Sequence, residues 1–384
     1  MAPSRRLAFI DLLRGWAVIV MIETHVVNAT IQKGIAEAPW FEVLNFINGL
    51  VAPTFLFASG MAFAVTTKRK LDGYLSFGTP LLRQLWRLAF ILIIAYILHL
   101  PHFYLKTIQA GFTERQYLVF VQSDVLHCIA VSLLFLQVLL FAARTEKLLY
   151  QVAAGVAVTV LFVTPLVWGV DWLTVMPAPL AAYMNGLHFS LFPVFPWSVF
   201  ILAGTIAGYL FTQAQQGVPK ESGPVFLIQP FARTGAALIV LSFVLIPLAW
   251  IYPTYDYWRY GPAFVLLRLG IVLVFAAGAM LYEQKRGVAP SSLVTLMGRE
   301  SLLIYAVHLM AIYGDFGTFQ FRRWSDHTFT MPVALLWTAL LLALMFGLAW
   351  VWDRVRKLEP RWKLTAQGTV FAGFLVVFLF GPLF

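Results

Sequence analysis

Four ionisable side chains fall within one apolar stretch near the start of the chain: Asp11, Arg14, Glu23 and His25. If this stretch is an α-helix, Arg14 and His25, eleven residues apart, return to within about 20° of the same face and stand roughly 16 Å apart along the axis. Asp11 lies one turn before Arg14 on nearly the same face and can pair with it. Glu23 projects almost opposite to His25, where it can orient a neighbouring helix or a polar loop. One stripe therefore carries a paired cation at one end and an imidazole at the other. Ionisable groups inside a membrane span are costly, and their default reading is a ligand or proton path. A neutral imidazole near physiological pH can take a proton from an amine or hydroxyl as it attacks an acyl carbonyl. The bland reading is a buried ion pair and a hydrogen-bonded histidine that hold helices together.

The elements that must position these groups are membrane helices. The chain of 384 residues is 61% hydrophobic and only 11% charged, with a mean hydropathy of +0.82, whereas a soluble domain carries roughly a quarter charged residues. Its apolar runs reach the ~20 residues a bilayer requires. Eleven spans are expected, at about 8–30, 44–66, 84–105, 118–142, 148–168, 193–213, 232–252, 261–283, 296–314, 332–352 and 366–384. They form an all-α integral membrane protein, read as one domain over 1–384. Pro53, Pro101 and Pro165 fall inside spans, where neighbouring helices can re-satisfy the backbone. Gly204 and Gly208 form a small-xxx-small step suited to close helix contact. The single cysteine, Cys128, excludes an intrachain disulfide and a cysteine-rich metal site. The N-terminal stretch is no cleavable signal peptide, being too long and too charged.

The net charge of +10 could point to nucleic acid, but the basic residues sit between spans, where they set orientation. With the N-terminus inside, seventeen lie in cytoplasmic loops, from Arg5 and Arg6 through Lys220 to Arg361 and Lys363. Six lie in outer loops: Lys33, Lys106, Arg115, Arg259, Arg322 and Arg323. The expected arrangement is N-inside and C-outside. It brings all seven histidines to the outer side: His25 and His308 within spans, His99, His102 and His127 at helix ends, and His188 and His327 in loops. For the last two and His102, polar tolerance at helix ends is an equal reading. The stripe on the first helix fits a channel that a ligand enters from inside and in which it reacts near the outside.

Five segments carry a resemblance. They are Arg14–Gly15 with His25 eleven residues on, Asn48 to Gly60, Ser123-Asp124 to Ala130, Pro196-Trp197 opening a glycine-containing helix, and Gly298-Arg299-Glu300-Ser301 running to His308. In order and spacing, over residues 8 to about 310, they resemble the transmembrane acyltransferase superfamily. They resemble in particular the heparan-alpha-glucosaminide N-acetyltransferase group, related to the acyltransferase-3 proteins. The resemblance implies transfer of an acetyl or other short acyl group from cytoplasmic acyl-CoA to an amine or hydroxyl of an extracytoplasmic sugar or glycan. The setting implied is a multi-pass cell membrane protein, with a bacterial inner membrane the expected location, surrounded by membrane lipid. In the glucosaminide branch an Asn occupies the His25 position, and its functional His falls where this chain has Ala36. His25 would then take over the role, as in the broader superfamily, with Arg14 and His308 beside it as catalytic residues.

Arg299, Asn48, Asp124, Trp197, Arg268 and Glu23 are the candidate substrate-binding residues. Coenzyme A carries phosphates that basic residues at the inner mouth would hold. Lys68, Arg69, Lys70, Arg83, Arg87 and Arg299 are candidates, with Lys68 to Lys70 read first as topology determinants. Arg299 is expected at the start of a helix, and Arg268, deep in the eighth span, needs a partner or a ligand. No metal and no nucleic-acid partner are expected, and a homodimer is left open. A polytopic transporter of a small solute is the main alternative, although no matching halves with broken helices stand out. A haem or metal membrane protein, with His99 and His102 on adjacent faces and His127 able to join them, is a third reading.

Overall fold

The computed structural model describes residues 8–101, 103–217, 225–287, 292–314 and 320–380. Arg5, Arg6, His102, Lys220 and Phe384 lie outside the described residues. The described chain is helical throughout, with one isolated β-bridge between Ile31 and Phe329.

Of the eighteen α-helices among the described residues, twelve organise it, in chain order α1 Ala8–Thr30, α2 Val51–Leu75, α3 Thr79–Leu98, α4 Val125–Ala143, α5 Glu146–Trp168, α6 Val194–Ala214, α7 Ile228–Val244, α8 Pro262–Arg286, α9 Leu293–Arg299, α10 Ser301–Tyr313, α11 Met331–Val355 and α12 Pro360–Phe380. Among the described residues, eight helical segments are long and apolar enough to cross a membrane, and a ninth span is formed if α9 and α10 count as one bent pair. The protein is thus a multi-pass helical membrane protein. α1 is as long as expected but carries Asp11, Arg14 and Glu23, and it is not among the eight.

The structure moves three expected boundaries. The fourth span begins at Val125, not near 118, because Asp124 caps α4: its carboxylate accepts the His127 backbone N–H at 2.9 Å. The apolar residues before it form a separate helix, Glu114–Val121. The third span ends at Leu98, which leaves Pro101 outside it. The ninth is broken at Glu300, where α9 and α10 meet at 84°. Arg299 therefore ends α9 instead of opening a helix.

The chain divides into two compact units. The first comprises Met1–Val51, Ile97–Phe120 and Ala289–Phe384. In it α1 packs against α9, α10 and α11. Two glycines allow the closest of these approaches: a Cβ on Gly15 would overlap the Val294 carbonyl oxygen, and one on Gly298 would overlap the Asp11 carbonyl oxygen. Val27, Ile31, Phe41 and Ala334 bury a small apolar cluster near the C-terminal end of α1.

The second unit comprises Ala52–Tyr96 and Val121–Val288. Here α6 packs on α5 and α4, and α7 on α8. The Gly204–Gly208 step lies against α2, with Gly204 facing the Phe57 backbone and Gly208 facing Met61 and Ala64. Small residues on both helices let the backbones approach, as packing in lipid favours.

Candidate active site

Within the first unit, α1 and α10 bring two imidazoles together. His308 Nε2 lies 3.1 Å from His25 Nδ1, although the residues are 283 positions apart. The rings sit 5.1 Å apart between centroids and are tilted by 44°. His308 is fully buried, and His25 is half-buried. Tyr313 closes one side: its ring stands edge-on to His25 at 5.9 Å, and its hydroxyl donates to the His25 carbonyl at 3.3 Å.

The hydrogen bonds fix the tautomers of the neutral pair. His308 Nδ1 is 2.7 Å from the Ile304 carbonyl oxygen, which can only accept, so Nδ1 carries the proton. A neutral His308 then has a bare Nε2, and His25 must donate to it from Nδ1. That leaves the lone pair of His25 on Nε2, where a proton can be taken from an incoming nucleophile. A carbonyl orienting one imidazole, which in turn orients a second, is the ordering that base catalysis uses elsewhere.

Arg14 lies half-buried on α1, on the face it shares with His25. Glu23 is half-buried, and the buried Asn48 amide is its electrostatic neighbour. Neither amide atom of Asn48 completes a hydrogen bond among the described residues.

At the other end of the unit, the α9–α10 break carries a charge cluster. Arg299 bonds Asp353 at 3.1 Å, Lys357 bonds the same carboxylate at 2.6 Å, and Arg356 approaches it at 3.6 Å while bonding Glu300. Three cations face two carboxylates, so the cluster keeps a net positive charge. Arg299 also holds a buried Nε with no acceptor among the described residues. Gly298 abuts Asp11, which places Arg299 at the level of the first turn of α1. His25 is fourteen residues further on, about 21 Å along the axis.

The remaining candidates lie in the second unit. Asp124 and His127 form a reciprocal cap, with the imidazole Nδ1 2.8 Å from the carboxylate, and Tyr96 meets the His127 ring edge-on at 4.5 Å. Trp197 is buried on α6, 5.4 Å from the Arg268 guanidinium, which lies over the Phe264 ring at 4.0 Å. Lys68 pairs with Glu146 at 2.9 Å. Two other histidines have plain local partners. His188 bonds Asp171 at 2.7 Å and holds that carboxyl below the usual carboxylate range. His327 Nδ1 bonds the Ile31 carbonyl at 3.2 Å.

Sequence reasoning missed Tyr313 and Asp353, and it gave Glu300 and Arg356 no place in the site. For Asp353 a signal existed: it is an acid inside an otherwise basic run, Asp353 to Lys357. Nothing in the sequence marked Tyr313.

An all-helical, multi-pass membrane protein with a paired-imidazole centre is the class defined by fold and site. A model of the family described as heparan-alpha-glucosaminide N-acetyltransferase, catalytic, matches residues 6–244, more than half of the chain, and the protein belongs to that family. It is accordingly an acetyltransferase by family. No curated protein matches the sequence significantly. The match covers Arg14, Glu23, His25, Asn48, Asp124 and Trp197, and ends before Arg268, Arg299 and His308.

Proposed function

We propose that the chain is a transmembrane acyltransferase that moves an acetyl, or another short acyl group, from cytoplasmic acyl-CoA to an amine or hydroxyl of an extracytoplasmic sugar. The observation that carries the reading is the His25–His308 pair, 3.1 Å apart, in a chain of the acetyltransferase family. His25 Nε2 takes the proton of the acceptor as it attacks the thioester carbonyl. The acyl–oxygen or acyl–nitrogen bond forms, the carbon–sulfur bond breaks, and CoA leaves as the thiolate, to be protonated on the inner side. His308 holds His25 in its tautomer, and Arg14 lies on the same face nearer the donor side.

The donor's phosphates are assigned to the net-positive cluster at Arg299. The axial separation from there to His25, about 21 Å, is of the order of an extended pantetheine arm. The acyl group then crosses most of an apolar layer ~30 Å thick while CoA stays inside. Asp124, Trp197 and Arg268 are kept as substrate-binding residues of the second unit, and Glu23 and Asn48 as those of the first. This reading takes the whole chain as one acyltransferase domain of eleven spans in a cell membrane. The N-terminus is cytoplasmic and the C-terminus extracytoplasmic, as the bias of basic residues supports.

The test is transfer of isotopically labelled acetyl from acetyl-CoA to a panel of amino sugars, followed by mass spectrometry. Labelled product with wild type, and turnover lowered roughly a hundredfold or more in His25→Ala, supports the reading. Equal turnover in both proteins removes His25 as the base.

A further inference from the structure

Arg268, kept above among the substrate-binding residues, is the side chain of the second unit to which the proposed reaction assigns no group of its own. It sits two turns inside α8, an apolar helix of 25 residues. Its guanidinium meets Phe264 at 4.0 Å and Trp197 at 5.4 Å. Among the described residues it makes no hydrogen bond and no ion pair, and its Nε is buried without an acceptor. The Trp197 indole N–H also donates to nothing among the described residues, although the residue is only 9% exposed. The carboxylates whose contacts are known in this unit have other partners: Asp124 with His127, Glu146 with Lys68, Asp171 with His188, and Asp256 with the backbone of Trp258 and Arg259.

A ring face attracts the positive charge of a guanidinium. It offers no lone pairs in the fork geometry that five coplanar N–H donors are shaped to grip. Cations inside spans are costly and are normally paired or placed on a ligand path. The group that completes this one is a planar or tetrahedral oxyanion, which Arg binds through two parallel N–H···O bonds.

We propose that Arg268 and Trp197 form a binding point for an oxyanion, the carboxylate or phosphate group of a bound molecule. The guanidinium grips two of its oxygens and the indole N–H can supply a third hydrogen bond. The inference stands on the second unit alone and holds whether or not the chain transfers acetyl. The oxyanion has two sources with the same chemistry, a water-soluble acid or the headgroup of an anionic phospholipid.

The experiment uses the full chain in nanodiscs of phosphatidylcholine. Thermal midpoints are followed on titration with glucuronate and with inorganic phosphate, against sodium chloride at equal ionic strength. A parallel series replaces part of the lipid with phosphatidylglycerol. A concentration-dependent rise with glucuronate or phosphate, lost in Arg268→Gln, assigns a water-soluble acid. A rise confined to phosphatidylglycerol discs, and lost in the same variant, assigns a lipid headgroup. Should Arg268→Gln fail to fold, Arg268→Lys decides, because a point charge lacks the fork and should bind about tenfold more weakly. Wild type that responds to none of the three probes overturns the proposal, as does a response that Arg268→Gln retains in full or Arg268→Lys leaves unchanged.

Discussion

The hydrogen-bond chain from the Ile304 carbonyl through His308 to His25 has a direction, and the direction assigns roles. The carbonyl fixes the proton of His308 on Nδ1, and His308 fixes the proton of His25 on Nδ1. His308 is then a positioning residue, since the lone pair left for chemistry belongs to His25. Replacing His308 by Ala should lower kcat about tenfold or more while KM for acyl-CoA stays nearly constant, because an unheld imidazole samples the wrong tautomer and ring orientation. Steady-state kinetics with acyl-CoA varied would check this; a rise in KM alone would place His308 in donor binding instead. Arg299 is subject to a sharper pair of tests. Asp353 and an incoming phosphate compete for the same guanidinium, so Asp353→Asn should tighten acyl-CoA binding severalfold, and Arg299→Ala should weaken it by about tenfold or more. Isothermal titration of acetyl-CoA separates this from a purely structural ion pair, for which neither variant would change the affinity.

At the scale of elements, the site depends on how closely α1 lies against the bent pair α9–α10. The paired glycines at the crossing make that approach possible: Gly15 faces the Val294 backbone, and Gly298 faces the Asp11 backbone. Gly298→Val would drive the two helices apart. Overpacking of this kind costs about 1–3 kcal/mol, so the thermal midpoint in detergent should drop, and turnover should fall with it as His25 and His308 separate. An unchanged midpoint would show that the crossing is looser than the geometry says. The first helix was legible over Ala8–Thr30, because its charged residues punctuate a run of the right length. The break at Glu300 was not: the polar run Gly298-Arg299-Glu300-Ser301 interrupts the apolar residues there, but hydropathy alone gives no angle, and the bend is 84°. The start of α4 was written in the Asp124 cap, but the apolar residues of Glu114–Val121 ahead of it obscured the boundary. That Asp11, Arg14, Glu23 and His25 share one helix was likewise readable. That His25 would meet His308 was not, since the contact spans 283 positions and only their common side followed from the loop charges. Arg268 showed the same limit: the sequence said it needed a partner, and the rings that flank it come from the fold.

For the whole molecule, the vectorial reading requires His25 and Arg299 to face opposite sides of the membrane, and in the proposed topology the basic loops set which is which. A reporter active only in the cytoplasm, fused after Phe384, should be silent, and the same reporter fused before Met1 should be active; the reverse pattern would invert the direction of transfer. The family match and the imidazole pair lie at the same end of the argument, since residues 6–244 carry His25 and the unmatched remainder carries His308. The most direct test of the central claim joins them in one assay. Sealed proteoliposomes of uniform orientation are given labelled acetyl-CoA on the side of Arg299 and amino sugars on the side of His25. Labelled N- or O-acetyl sugar should appear with the sugar while CoA stays with the donor, and His25→Ala should abolish nearly all of it. Product formed at the wild-type rate by His25→Ala, or only when donor and acceptor share one compartment, would contradict transfer of the acyl group across the membrane at His25.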